Sequence, residues 1–500
     1  MMFIQYKILF ILCSLRHIIL CDDIEIDLTS YNFQTNKTEF IEYANITEDN
    51  TRILVTNIDP SVEFFIIQVH SYVKVLTLSY TPTIQLQSHV NGTNIGLYWD
   101  RSVGLENDIG GVSFYCIHNM SSGESLKILL AIHVYGKHDP IPGGCNLSFE
   151  TMIAPYQKIS YTDSTIEVAS QPPSRRKSSC NNNDRVQVDM YHMFLSENDP
   201  NETNYFTGIA NMMTVERIKK NGRRVHKTDY AKYKIFYNLY RGTGEIFAVI
   251  ATDVGGSSAY VPAASFGCDL SKWDADCAGP GKIVCMGLLL FGFVMCIAGH
   301  RLFKMSLFVL GFGLGQLVGS IFVNSGVLVT VFSILSGAIW VFLWIKLGVP
   351  LLSISLTFFF ASTILISTVF YLGFAVNDLF GNDLVFWTTY ACVFLSILLI
   401  SSAFAPRSHI LALSLIGSYC AIVAINYHSG GNLQYIFINT LRRINVAGFN
   451  RVIVDPPIQV KDIQHIATWI ALFSLGYFVQ SRWQRGAPPF PSTEYRMLRS

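Results

Sequence analysis

The sequence predicts a membrane protein made of a β-rich glycosylated ectodomain followed by an α-helical seven-transmembrane bundle. Half of the 500 residues are hydrophobic and only 14% are charged. The charges are unevenly divided, because residues 1–280 hold 23 Lys or Arg against 30 Asp or Glu, whereas residues 281–500 hold 13 against five. An acidic part is therefore joined near residue 280 to a charge-poor, basic part, and each is long enough to bury a core.

The chain opens with a segment typical of a secretory signal peptide, residues 1–21. Lys7 precedes a short apolar run at 8–15, and acidic residues follow Cys21. This order favours cleavage after Cys21 over an uncleaved anchor. The anchor stays the alternative because Arg16 interrupts the apolar stretch.

Six Asn-x-Ser/Thr sequons support export of the front part of the chain. None occurs after residue 281, and clustering on one side of a compositional boundary is far more informative than a single sequon. We therefore expect residues 22–280 to be lumenal or extracellular. The predicted glycosylation sites are Asn36, Asn45, Asn91, Asn119, Asn146 and Asn201.

An oxidising compartment favours disulfides among the cysteines of the ectodomain. The nearest couples along the chain are Cys116 with Cys145 and Cys268 with Cys277, and these are the predicted pairs. Cys180 is then left over, although it could pair with Cys268 instead. Connectivity stays open because spacing alone does not determine it.

The ectodomain sequence is mainly β-forming. Stretches 64–80, 111–117, 125–136 and 233–254 are rich in β-branched and aromatic residues and are bounded by Gly, Pro, Asn or Asp. Short strands separated by turn residues predict sandwich-like packing.

A polar stretch divides the predicted ectodomain in two. Residues 171–185 begin with a proline-rich turn and contain no large apolar side chain. Such a composition is typical of a linker. The predicted modules are therefore residues 22–170 and residues 186–280, and the second includes the cysteine pair next to the membrane.

Residues 281–480 contain seven apolar stretches that predict transmembrane helices. A helix needs about 20 apolar residues to cross the hydrocarbon core, and unpaired backbone is not tolerated in lipid. The seventh stretch carries Gln464, His465 and Gln480, so a six-helix bundle is the alternative. The predicted spans are 283–299, 305–323, 327–345, 351–375, 384–405, 410–427 and 463–480.

Loop charges predict the orientation of the bundle, because cytosolic loops carry an excess of Lys and Arg. With the ectodomain outside, the tail 481–500 is cytosolic, in a plasma, endosomal or lysosomal membrane. The turn with His300, Arg301 and Lys304 then lies at the cytosolic headgroups. The loop 428–464 is an exception, because it is expected outside and yet carries four basic residues, Arg442, Arg443, Arg451 and Lys461. Its stretch 435–444 predicts an amphipathic helix along the membrane interface.

Three glycines recur at intervals of four in the second span. Gly311, Gly315 and Gly319 therefore share one helix face. Small residues let helix backbones approach closely in lipid, so this ridge predicts helix packing within the bundle. A dimer seam and a flexible gate are the alternatives.

The sequence gives no sign of a catalytic, cofactor or metal site. No span contains an interior Asp, Glu, Lys or Arg, which disfavours an ion-coupled pump. His118, His133 and His138 are scattered through β-forming stretches and have no acid or base partner in the sequence pattern. Without a large basic excess, nucleic acid is not an expected partner. The motifs acid-Arg-Tyr and Asn-Pro-x-x-Tyr of G-protein-coupled receptors are absent as well.

The cytosolic tail carries one short motif. Residues 495–498 read Tyr-Arg-Met-Leu, the form of a tyrosine sorting signal, with Tyr495 and Leu498 as its anchors. A short exposed tail can be bound by a partner, so a clathrin adaptor is a predicted partner of this segment.

Three stretches carry a resemblance to a known family: "HVYGKHDPIPGGCNLSF" (133–149), "GHRLFKMSLFVLGFGLG" (299–315) and "DPPIQVKDIQHIATWIAL" (455–472). With them, nearly the entire chain resembles the transmembrane 7 superfamily member 3 family. The helical half is similar to the domain shared with the transmembrane protein 198 family. The resemblance implies a multi-pass protein of the cell surface or endomembranes, linked to cell survival under stress, and it assigns no active site.

These observations favour a non-enzymatic, receptor-like membrane protein. Its ectodomain is expected to bind an extracellular ligand or protein, and its bundle, set in membrane lipid, to anchor or relay that event. The alternative is a channel or lipid-translocating bundle that uses the glycine ridge as its path.

Overall fold

The computed structural model of the protein describes most of the ectodomain and of the helical half. The described residues are 23–32, 37–85, 88–101, 111–118, 125–145, 157–175, 186–196, 199–225, 233–272, 277, 281–323, 325–374, 381–486, 488 and 490. The predicted signal peptide and sorting motif and three of the predicted glycosylation sites lie outside the described residues. These three sites are Asn36, Asn119 and Asn146, and the motif residues are Tyr495 and Leu498.

The first ectodomain module, residues 23–135, consists of two β-sheets packed face to face. One sheet has the strand order β1-β3-β8-β5-β6 and the other β2-β9-β4-β7. Between them the ring of Phe65 stacks on Trp99 with centroids 4.8 Å apart. The strands are β1 Asp23–Asp27, β2 Glu39–Ile46, β3 Asn50–Thr56, β4 Phe64–His70, β5 Leu76–Ser79, β6 His89–Gly92, β7 Asn94–Asp100, β8 Val112–Ile117 and β9 Leu126–Tyr135. The predicted sandwich is confirmed.

The second ectodomain module, residues 141–272, contains two further sheets and two short helices. Their strand orders are β10-β11-β14 and β13-β12-β15-β16, with β17 also paired to β15. Each helix begins at a side chain that caps its free N–H groups, Asn201 for α1 and Thr214 for α2. The elements are β10 Gln157–Tyr161, β11 Thr165–Ser170, β12 Gln187–Phe194, α1 Glu202–Asn211, α2 Val215–Asn221, β13 Arg223–Arg224, β14 Lys234–Asn238, β15 Glu245–Asp253, β16 Gly256–Ala259 and β17 Ala263–Ser265.

The two modules pack directly on each other, because one sheet of the first module is covered on both faces. Strand β4 is buried at every position, which fits its start with four consecutive apolar residues, 64–67, rather than an alternating pattern. Phe65 and Ile67 point into the first module, whereas Phe64 and Ile66 pack with Val261 of the second.

The module boundary differs from the one expected from the polar stretch 171–185. Strand β11 pairs along its length with β14, so residues 157–170 belong to the second module. Ser174, within the expected linker, forms a β-bridge with Ile141. The polar stretch therefore connects β11 and β12 within one module. Composition alone does not distinguish such a connection from a linker between two modules.

Cysteine pairing also differs in part from the expectation. Cys268 and Cys277 form a disulfide with their Cα atoms 5.2 Å apart. Cys116 is instead a free, fully buried thiol in the core of the first module. Cys145 is disulfide-bonded, but not to Cys116. The predicted Cys116–Cys145 pair is therefore wrong, because Cys116 points into the apolar sandwich core and acts there as a small hydrophobic side chain.

In its described part the helical half has seven long helices at the positions of the predicted spans, plus one short helix, α9, Tyr435–Asn445. Helices α4 to α8 are long and apolar enough to cross a membrane, and α6 continues through a π-helical turn at Phe370–Phe374. Helix α3 is shorter, and α10 carries charges at both ends. The long helices are α3 Lys282–Ala298, α4 Phe303–Phe322, α5 Gly326–Leu347, α6 Pro350–Val369, α7 Asp383–Ala403, α8 Ala405–Ser429 and α10 Val460–Trp483.

The glycine ridge of α4 lies directly against α5. A Cβ atom added at Gly315 would stand 2.6 Å from the Cα atom of Ser333, and one at Gly311 would stand 2.9 Å from the Cα atom of Gly337. At Gly319 the contact is looser, 3.2 Å from a methyl group of Val329. The helix backbones therefore touch, which only residues without a side chain allow.

Candidate functional site

The ectodomain contacts the helical bundle through the segment that connects α8 to α10. This segment, residues 430–459, contains α9 and an extended stretch after it, and we call it the outer connector. It packs against the second module on one side and against the outer ends of the helices on the other. The junction so formed contains several buried polar side chains, among them His192, Glu245 and Asn432.

The centre of the junction is His192 of β12, held between two carboxylates. Its Nδ1 lies 2.5 Å from Oε1 of Glu245 on the neighbouring strand β15, and its Nε2 lies 3.2 Å from Oδ2 of Asp455 in the outer connector. Arg223 of β13 donates to both oxygens of Asp455, at 2.9 and 3.1 Å. The side chains of His192 and Glu245 are almost completely buried, whereas that of Arg223 is more than half exposed, and the two cations and two carboxylates balance in charge.

Electrostatics fixes the charge of this cluster. Burial disfavours the charged imidazolium, but hydrogen bonds to Asp455 and Glu245 outweigh burial and raise the pKa of His192 to about 9. Burial alone would raise the pKa of Asp455, yet its bonds from His192 and Arg223 hold that pKa below the usual value. The pKa of Glu245 is raised by burial, which its bond from His192 only partly offsets. At neutral pH the junction is therefore joined by a protonated histidine.

Backbone pairing adds to the junction. The N–H of Ile453 donates to the carbonyl of Phe236 at 2.8 Å, and the N–H of Asn238 donates to the carbonyl of Ile453 at 2.9 Å. The outer connector thereby extends the free edge of β14 by one parallel bridge. Such edge pairing fixes the register of two segments and covers backbone groups that would otherwise be open.

Helix α9 supplies the third contact. Its Arg442 donates to the side-chain oxygen of Asn238 at 2.7 Å and to the carbonyl of Leu239 at 2.8 Å. The hydroxyl of Tyr435 accepts from the N–H of Arg241 at 2.8 Å, and its ring meets that of Tyr240 edge-on at 4.9 Å. The predicted amphipathic helix is present, but its basic face docks on protein.

A polar path continues from the second module to the helix ends. The amide nitrogen of the Asn432 side chain lies 3.3 Å from the hydroxyl of Thr243. The backbone N–H of Asn432 donates to Asp462 at the start of α10 at 2.9 Å, and its carbonyl accepts from Tyr371 at the end of α6 at 3.1 Å. Asn432 thus joins the ectodomain to two helices through bonds that are shielded from water.

A second polar cluster lies at the opposite end of the bundle. Nδ1 of His300 is 2.9 Å from Nδ1 of His409, and the side-chain oxygen of Gln480 accepts from the N–H of His300 at 2.8 Å. Gln480 also donates to the carbonyl of Cys296 at 2.8 Å. His300 is buried, whereas Arg301, Leu302 and Lys304 of the same turn are exposed, so the expected position of His300 at the headgroups is not supported. Gln480 of the seventh predicted span therefore has a structural role, because it joins α10 to the end of α3.

The structure separates the predicted site residues rather than gathering them. Asn45, Asn91 and Asn201 are exposed at three different places on the ectodomain. Sequence reasoning missed the cluster around His192, because its members come from three strands and from a loop more than 200 residues away. The only signal was the excess of basic residues in the outer connector. Among the described residues, no three His, Cys, Asp or Glu side chains are grouped so as to hold a metal ion.

Comparisons with known proteins agree with this architecture. Family models match residues 32–135 as a TM7SF3-like N-terminal immunoglobulin-like domain, residues 140–271 as the second such domain, and residues 285–481 as a TM7S3/TM198-like domain. Transmembrane 7 superfamily member 3 of Homo sapiens is 28% identical over 473 residues, covering 89% of this chain and 82% of that protein. The Mus musculus protein of that name is 28% identical over 472 residues, with the same coverage. The chain therefore belongs to the transmembrane 7 superfamily member 3 family of multi-pass membrane proteins.

Proposed function

We propose that this protein is a non-enzymatic, receptor-like membrane protein. Its ectodomain binds an extracellular or lumenal ligand or protein, and the junction passes the resulting strain to the helices. The N-terminus is outside and the C-terminus cytosolic, in the plasma membrane or an endosomal or lysosomal membrane. The tail then binds a clathrin adaptor, and support of cell survival under stress follows from the family resemblance.

The observation that carries this proposal is the junction itself. A domain that only needed an anchor would require a single covalent connection to the first helix. Here the second module is also bound to the outer connector, by the cluster around His192 and by the path through Asn432. A shift of β12 relative to the bundle must break or move these bonds, so the two halves are mechanically coupled.

The coupling is tested by breaking the junction without touching a helix. Asp455→Asn removes the charge that binds both His192 and Arg223, so His192 keeps only Glu245 as its charged partner. Removing one member of a buried group of charges is strongly destabilising. In full-length protein in lipid nanodiscs, hydrogen exchange is expected to rise roughly tenfold both in β12 and at the outer ends of α6 and α10. Glu42→Gln, an exposed change on the first module, is the matched control.

Faster exchange confined to β12 and the outer connector would contradict the proposed coupling and leave the helices as an anchor alone.

A second experiment identifies the ligand and the partner by proximity labelling, from the ectodomain and from the tail in parallel. Labelling of cytosolic proteins from the ectodomain would contradict the proposed orientation.

The glycine ridge gives the channel alternative no support. Because a Cβ atom at Gly315 would already collide with α5, no path for an ion or lipid runs along this face.

A further inference from the structure

A groove of about 420 Å³ lies between the two ectodomain modules. The β6–β7 hairpin of the first module forms one wall, and β10 with β17 of the second module forms the other. Strands β6 and β10 each lie at the end of a sheet, so within the described residues each has one side without a strand partner. The volume lies within the roughly 300–1,000 Å³ of small-molecule sites.

The second wall carries a buried acceptor without a partner. Gln157 is 4% exposed, and its side-chain nitrogen donates to the carbonyls of Phe247 and Val261 at 2.9 and 3.2 Å. Its side-chain oxygen has no hydrogen-bond partner within the described part of the chain. A buried acceptor left unsatisfied costs about 1–3 kcal/mol, so a donor from a bound group is expected here.

The first wall carries a sequon. Asn91, Gly92 and Thr93 lie on the β6–β7 hairpin, and Asn91 is exposed while lining the groove. Asn45 and Asn201 are also exposed, but neither lines this groove. Among these three predicted sites, only a glycan on Asn91 would start inside a cleft formed by both modules.

We propose that the groove is occupied by the protein's own N-linked glycan, attached at Asn91. The side-chain nitrogen of Asn91 forms a bond to C1 of the first sugar and loses a proton, while the C1–oxygen bond to a lipid-linked pyrophosphate donor breaks and the pyrophosphate leaves. The first sugars then lie between the modules. An acetamido N–H or a hydroxyl donates to the free oxygen of Gln157, and the half-exposed ring of Tyr161 stacks on an apolar sugar face.

The glycan then bridges the modules, because it is bonded to the first and packed on the second. It also closes this groove to other ligands, so the ligand of the proposed receptor must bind elsewhere. The inference depends on the lumenal orientation in the proposed function, and the experiment separates the two.

Full-length protein is made in secretory eukaryotic cells and reconstituted in nanodiscs. Mass spectrometry measures glycan occupancy at Asn45, Asn91 and Asn201, and then release by a peptide N-glycosidase over time. In folded protein, release from Asn91 is expected to be roughly tenfold slower than from the other two, and equal after denaturation, because only packed sugars are protected. Tyr161→Ala is expected to remove the protection, whereas Tyr43→Ala, an equally exposed tyrosine outside the groove, leaves it unchanged.

Asn45 and Asn201 could carry glycans while Asn91 carries none, or while Asn91 loses its glycan as fast as they do. Either result would overturn this inference and leave the proposed function intact. Protection that survives Tyr161→Ala would overturn the placement of the sugars in the groove. Three unmodified sites would mean that the ectodomain does not reach the lumen, and both proposals would fall.

Discussion

Two buried histidines at the interface of the ectodomain modules should make it sensitive to acid. His70 of β4 and His133 of β9 lie on the sheet face that the second module covers, and both are nearly inaccessible to water. Nδ1 of His70 is 2.9 Å from the side-chain oxygen of Asn94, which also accepts from the hydroxyl of Tyr205 on α1 at 2.7 Å. The interface is therefore built around neutral imidazoles.

The pKa values give the size of the effect. Burial lowers the pKa of His70 to about 4, and burial with repulsion from His70 and Arg217 lowers that of His133 to about 3. Because unfolded histidine titrates near 6.5, stability is complete above that pH and is lost as the pH falls toward the folded-state values. At pH 5 each histidine costs about 2 kcal/mol, since about 1.5 pH units separate pH 5 from 6.5.

The assay is thermal unfolding of the full-length protein in nanodiscs at pH 7 and pH 5. A loss of about 4 kcal/mol corresponds to a fall of roughly 10 °C in the ectodomain midpoint for a unit of this size. The double variant His70→Gln/His133→Gln is expected to fall by much less, whereas His138→Gln, an exposed change, should behave like the wild type. Equal falls in the wild type and the double variant would refute the reasoning.

Three further predictions follow from the packing, the thiols and the junction. Gly315→Ala should destabilise the bundle by about 1–3 kcal/mol in thermal unfolding, because the added methyl group would collide with α5. Gly313→Ala is the control, since there is room for a methyl group beside Gly313. Equal effects of the two substitutions would contradict the packing of α4 on α5. Without reductant, mass spectrometry after alkylation in denaturant should find Cys116 labelled and Cys268 unlabelled; a protected Cys116 would restore the rejected pairing. The raised pKa of His192 keeps its stabilising contribution complete below about pH 6.5 and loses it as the pH rises through about 9. Protease cleavage of the outer connector should therefore accelerate between about pH 7 and about pH 9, and an unchanged rate over that range would count against the cluster.

Local sequence signals predicted most of the elements. The apolar runs 64–80 and 125–136 do contain strands, and the seven apolar stretches are helices close to their expected bounds. Both signals are local, because strand and helix periodicity and hydrophobic length are properties of neighbouring residues. The apolar start of β4 is consistent with its burial on both faces, but the sequence alone could not show that the second module covers one of them.

Contacts between distant residues could not be predicted in the same way. The predicted module boundary near residue 170 was wrong because β11 pairs with β14, a strand that lies more than 60 residues later in the sequence. The predicted disulfide Cys116–Cys145 was wrong because proximity in sequence carries no information about which face of a sheet a cysteine occupies. The cluster around His192 forms only when three strands and a loop have assembled.

The outer connector shows why the loop charges were hard to interpret. Counting Lys and Arg assumes that a basic residue faces water or headgroups, but Arg442 is bound to two acceptors of the second module and Arg443 pairs with Asp383 at 2.9 Å. Asp383 begins α7, in the turn that was expected outside. The basic excess of this loop therefore serves docking, and without those arginines the remaining loops keep the bias expected for a cytosolic C-terminus. The same contacts place the ectodomain, the outer connector and the start of α7 at one end of the bundle, which supports the proposed orientation and makes the junction the place where it can be tested.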